Sequence, residues 1–149
     1  MKSNIRTIAL ATLVAIASLS QTLHAQTLAV PVRVDVPFSF DYGSQHFGHG
    51  VYVLRTNTEH VLIVRSNRNS GMAMVQNSYD PTPAKTSVVV FKKYGDRYFL
   101  QEVRMAGAAN HIDVIQSQAE RRATRELASR GTEATQVALA LLPARTIGN

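Results

Sequence analysis

Hydrophobic and polar positions alternate most strictly between residues 30 and 40. Val30, Val32, Val34, Val36, Phe38 and Phe40 take the even places, and Pro31, Arg33, Asp35, Pro37 and Ser39 the odd ones. A strand sends successive side chains to opposite faces, so this run predicts a half-buried strand with one apolar face. Proline donates no ladder hydrogen bond, and Pro31 and Pro37 therefore mark an edge strand or a bent one. A turn-rich stretch at 42–50 is followed by β-rich runs at 51–56, 61–66 and 72–76. Turns at intervals of roughly ten residues point to a sandwich or barrel and away from βαβ units. Residues 77–86, with Pro81 and Pro83, form the longest predicted loop.

Residues 87–94 and 97–105 flank Gly95-Asp96, a two-residue hairpin signal. The implied register sets Lys93 against Tyr98, Phe91 against Leu100 and Val89 against Glu102 on one face. On the other it sets Lys92 against Phe99, Val90 against Gln101 and Val88 against Val103. Large apolar groups on both faces make this hairpin central, and its lysines stand where cation–π contacts form.

A single segment reads as helix. Ser117 and Glu120 make an S-x-x-E capping box, Ala119, Ala123 and Leu127 recur every four residues, and Gly131 supplies a stop. The apolar stripe is thin, which predicts a helix lying against the sheet. The run 137–142 is short and precedes Pro143, favouring a final strand near 135–142. The expected fold is thus a mostly β single domain. About seven or eight antiparallel strands would form a sandwich or squat barrel, with one helix near 117–130.

Composition agrees with one globular domain: 149 residues, 45% hydrophobic and 17% charged. The first 25 residues carry a further signal. Lys2 and Arg6 precede an uncharged apolar core at 8–17, and Ala25 offers a small residue before Gln26, the pattern of a secretory signal peptide. That core falls short of the ~20 residues that span a bilayer. The expectation is a removable leader at 1–25 and an exported domain at 26–149, periplasmic or extracellular, with no membrane span in the mature chain. Removing Lys2 and Arg6 leaves 14 basic against 10 acidic residues. Transmembrane β-barrels use strands of about 9–11 residues, longer than most runs here. The chain has no cysteine, which excludes disulfides, thiolate metal sites, thiol catalysis and a lipoprotein anchor. An exported domain without disulfides is held by its core alone.

Four segments taken in order resemble a known pattern. They are 36–52 (VPFSFDYGSQHFGHGVY), Val64-Arg65-Ser66, 90–100 (VFKKYGDRYFL) and 117–127 (SQAERRATREL). Together they resemble an uncharacterised acidobacterial family of small exported proteins, built from a PF-x-F strand, a glycine turn, an RS strand, a YGD-x-YFL hairpin and an SxAERE-like helix. The resemblance implies an exported β-rich domain and carries over no catalytic or binding residue. The chain departs from the family's PAG-like turn with Gly48-His49-Gly50, and from its GRELP-like segment with NHIDVI at 110–115.

Candidate chemistry is sparse. His46 and His49 flank a glycine turn, with His60 and His111 further on. Imidazoles that converge bind zinc or copper, yet H-x-x-H in such a turn has no helix to align its rings. Solvent-facing histidines are the simpler reading, so no metal or other cofactor is expected, His46 and His49 being the metal candidates. Asp35, Ser39 and Asp41 share the first strand's polar face with Arg33, an ordinary solvated surface. No nucleophile elbow, P-loop, H-E-x-x-H or dinucleotide fingerprint occurs, and the reading leans away from an enzyme.

Arg121, Arg122 and Arg125, with Arg130 beyond, form a basic cluster suited to an anionic surface such as envelope lipid or polysaccharide. Glu120 and Glu126 share the helix, and an i,i+4 pair from Glu126 to Arg130 would make the same face a plain solvated one. The export signal argues against nucleic acid. Phe91, Tyr94, Tyr98 and Phe99 either line an apolar pocket or fill a core, and core is favoured. The functional expectation is a non-enzymatic binding or structural module of the cell envelope. Its partner would be an anionic component or another envelope protein. A carrier of a small apolar ligand is the alternative, and an envelope enzyme the third.

Overall fold

Pro37 ends the first strand. In the computed structural model, which describes residues 31–143 except Glu59, β1 (Val32–Val36) stops there and the chain bends before β2 (Phe40–Tyr42). A glycine turn leads back into β3 (Gln45–Phe47), then β4 (Gly50–Thr58), β5 (Val61–Arg65) and β6 (Ser70–Tyr79). The hairpin β7 (Val88–Tyr94) and β8 (Arg97–Arg104) precedes β9 (Asn110–Val114). The helix α1 (Gln118–Ser129), β10 (Thr135–Ala140) and β11 (Leu142–Pro143) complete the described chain. The predicted leader at 1–25 lies outside the described residues.

The fold is one β-rich domain with one helix, as the periodicity implies. It differs in detail. Among the described residues there are eleven strands, not seven or eight: the alternating run is cut at Pro37, the turn-rich stretch contributes β3, residues 110–114 add β9, and the final run is divided at Leu141. The strand order is β10-β7-β8-β9-β6-β5-β4-β1-β11. Neighbours along this order are antiparallel, but β2 touches β8 through a parallel bridge at Asp41 and Phe99, so the sheet is mixed. Nor is β1 an edge: it lies between β4 and β11. Only Leu141 separates β10 from β11, so one continuous segment pairs with β7 at one end of the order and with β1 at the other.

Both halves of this sheet face one core. Val32, Val34, Leu54, Leu62 and Val64 from one side meet Val89, Phe91, Leu100, Val103 and Ile112 from the other. Aromatic rings fill its middle. Phe40 stacks on Phe47 at 5.2 Å and meets Tyr52 and Phe91 edge-on at 5.1 Å each. Tyr42 extends this core and carries a polar tip into it. Its hydroxyl donates to the Leu62 carbonyl and accepts the Ala73 N–H, the two members of one β5–β6 pair. Burial holds this phenol un-ionised by raising its pKa.

The central hairpin keeps the expected register for its first three steps: Lys93 with Tyr98, Lys92 with Phe99, Phe91 with Leu100. Of the turn residues Gly95 alone has positive φ, at 61°, the type II′ pattern. Beyond Phe91 the register slips by one. Val90 faces Glu102 and Val89 faces Val103, leaving Gln101 as the extra residue of a bulge. A strict alternation from Leu100 would turn Glu102 into the core. The bulge turns it outward and gives Val103 the core position.

The helix is capped at both ends. Ser117 Oγ accepts the Glu120 N–H at 3.1 Å. Gly131, at φ 65°, and Thr132 donate to the Ala128 and Leu127 carbonyls in a Schellman arrangement. The expected capping box is only half made. The Glu120 carboxylate turns to the Tyr94 hydroxyl at 3.1 Å, beneath the helix, where burial raises its pKa. Ala123 and Leu127 rest with it on Tyr94 and Phe99, a second small cluster on the outward face of the sheet.

Candidate functional site

The four histidines among the described residues do not converge. His46 stands opposite Asp41 across the β2–β3 hairpin, with Nδ1 2.8 Å from Asp41 Oδ1. The other carboxylate oxygen takes Arg97 through Nη2 at 2.7 Å and Nε at 3.2 Å. These groups border a cleft of about 170 Å³ with Ser39, Asp96 and Tyr98. The bend at Pro37 thus moves Asp41 off the polar face that Arg33 and Asp35 keep. His49 lies elsewhere, in a polar groove with Asn67, Arg68 and Asn69. His60 is at the β4–β5 turn, and His111 is on β9.

The aromatic candidates divide between two faces. Phe91 is in the main core, and Tyr98 stacks on Phe38 at its margin, 4.0 Å between centroids. Tyr94 and Phe99 belong to the cluster beneath α1. Lys93 sits over Tyr98 at 5.2 Å as the hairpin register suggests, whereas Lys92 sits over Tyr94 at 5.6 Å and it is Arg97 that covers Phe99, at 4.9 Å.

The arginines all lie on the solvent side of α1. Arg121 donates to the Gln116 carbonyl at 2.6 Å and Arg125 to the Arg121 carbonyl at 3.3 Å. Arg130 is the C-cap, a helix-length away from Ser117. The expected Glu126–Arg130 ion pair does not form among the described residues. Arg122 borders a groove.

That groove opens between the N-terminus of α1 and the outward face of β6. It measures about 450 Å³ and is lined by Gly43, Met72, Ala73, Met74, Ile115 and Ala119, with Ser44, Ser117, Gln118 and Arg122 at its polar rim. Met72 is 70% exposed, Met74 63% and Ile115 46%. Ile115 is joined to Met74 by a backbone bond from its N–H at 3.1 Å. Three large apolar side chains therefore meet at one wet surface. Methionine there is unbranched and polarisable, able to adapt to an occupant's shape. No family model, curated protein or solved structure matches this chain.

A second polar group lies on the same outward side. Cross-strand pairing sets Glu102 beside Asp113 and Arg104 beside His111. Arg104 donates to both oxygens of Glu102 and reaches Asp80 at 3.5 Å. The hydrogen bond to Glu102 raises the arginine's pKa further. Ser78, from β6, donates to Asp113 Oδ2. Of this group the sequence marks only His111 as a candidate ligand. An unbroken register sets Glu102 on the same face as Leu100, and the short run at 110–114 gives Asp113 no clear strand signal.

Proposed function

We propose that this protein is an exported, non-enzymatic binding module of the cell envelope that holds an anionic amphiphile in the β6–α1 groove. The observation that carries the reading is the joining of Met72, Met74 and Ile115 to Arg122 in one concavity. An acyl chain fits the apolar floor. A carboxylate or phosphate head placed at the rim meets the Arg122 guanidinium and the positive end of α1. The size falls within the 300–1,000 Å³ of typical small-molecule sites. Arg121 and Arg125 add long-range attraction. Mutual packing of Phe40, Phe47, Tyr52 and Phe91 favours this surface over the carrier's internal cavity. The leader at 1–25 and the family resemblance support export. No described helix is long and apolar enough to cross a membrane.

The test is calorimetric titration of the purified protein with dodecanoate and, in parallel, with neutral dodecyl maltoside. Dodecanoate should bind, with affinity lowered about tenfold or more by Arg122→Glu and by Met72→Ser/Met74→Ser, while the neutral amphiphile binds far less. Equal binding of both amphiphiles, or indifference to both variants, would overturn the reading.

A further inference from the structure

The Glu102 group has features that its own ion pairs leave unexplained. Arg104 pairs with Asp80 and Glu102 and feels the charge of a third carboxylate, Asp113. Glu102 is only 7% exposed, and buried charge is costly unless matched. The His111 imidazole beside them is largely covered, and its Nε2, not the partnerless Nδ1, faces the carboxylates. Its Nε2 lies 3.4 Å from Glu102 Oε1 and 3.5 Å from Asp113 Oδ1. Those separations exceed the ~2.7–3.2 Å of a good N–H···O bond. They match two edges of a tetrahedron: ligands about 2.0–2.2 Å from zinc stand about 3.3–3.6 Å apart. All three ligand atoms lie within 4.8 Å of one another.

We infer that Glu102, His111 and Asp113 form a zinc site, with three protein ligands and a fourth position open to water. Two of the three ligands are oriented from behind. Ser78 occupies Asp113 Oδ2 and leaves Oδ1 toward His111. Arg104 fixes the Glu102 carboxylate, whose oxygens retain further lone pairs. Such outer contacts set ligand direction in metal sites. The Gln101 bulge is what brings Glu102 to this face, and bulges commonly re-aim a side chain next to a site. The cation would offset the surplus negative charge of the carboxylates. This site shares no residue with the β6–α1 groove, so the two proposals stand or fall separately.

The test is titration of Zn²⁺ into the purified protein near neutral pH, followed by calorimetry and, with Co²⁺, by visible absorption. One saturable site per chain is expected, with the intense visible bands of four-coordinate cobalt. Binding should persist in the His46→Ala/His49→Ala double variant. It should weaken by about tenfold or more in Asp113→Asn and in His111→Gln. No saturable one-to-one binding by the unmodified protein would overturn the proposal. So would a six-coordinate cobalt spectrum, loss of binding in the His46→Ala/His49→Ala variant, or full affinity in folded Asp113→Asn and His111→Gln. Should both of those variants unfold, the cobalt spectrum of the unmodified protein decides.

Discussion

Replacing Tyr42 by Phe removes one oxygen and leaves the ring in place. That oxygen lies between the Leu62 carbonyl and the Ala73 N–H, which belong to a single β5–β6 pair. Its loss strands an acceptor and a donor in the interior, where each unmet backbone group costs about 1–3 kcal/mol. Part of this returns if the two strands close and bond directly, so the net loss is expected at about 2–4 kcal/mol. At this chain length one kcal/mol moves the midpoint by roughly 3–5 °C, and the variant should melt about 10 °C lower. Tyr52→Phe is the matched comparison. Its hydroxyl donates to the Gly48 carbonyl at 2.6 Å in an exposed loop that water can reach, and it should lose only about 0.5–1.5 kcal/mol. Urea unfolding followed by circular dichroism measures both. A Tyr42→Phe loss no larger than that of Tyr52→Phe, at unchanged m-value, would refute the reasoning.

Three further outcomes follow from single contacts. At Gly71 an added Cβ would lie 2.5 Å from Gln45 Oε1 and 2.6 Å from Phe47 Cζ. The glutamine can swing away but the core phenylalanine cannot, so Gly71→Ala should cost about 1–3 kcal/mol in urea melts and be relieved by Phe47→Leu. Ser117→Ala removes the helix N-cap and should cost about 1 kcal/mol, with Ser117→Asp restoring most of it in the same melts. Burial raises the Glu120 pKa, so the folded state holds this proton more tightly than the unfolded chain. The stabilisation is complete below the ordinary carboxylate pKa and is lost as pH rises through the raised value. Melts across the acidic range should therefore show Glu120→Gln gaining on the unmodified protein as pH rises, and a constant difference would contradict it.

Much of the fold was legible because it follows from periods of two and four. Alternation located β1. Gly95-Asp96 located the central hairpin and its first three pairs, and Ser117 and Gly131 bounded the helix within a residue or so. The groove and the polar cluster were not legible, since each joins residues distant in the chain. Met72 and Met74 appear in sequence as ordinary strand residues. Only the arrival of α1 beside β6 makes them the floor of a concavity with Arg122 on its rim.

Glu102 shows the limit most clearly. A one-residue bulge reverses every side chain after it, and nothing in the local sequence around Gln101 announces one. Local chemistry therefore determined this protein's elements, because proline, glycine and side-chain alternation act over a few residues through backbone sterics and burial. Tertiary structure decided its sites. Which carboxylates meet His111, and which apolar groups stay wet beside an arginine, depend on strand order and register, which are settled by the packing of the whole core.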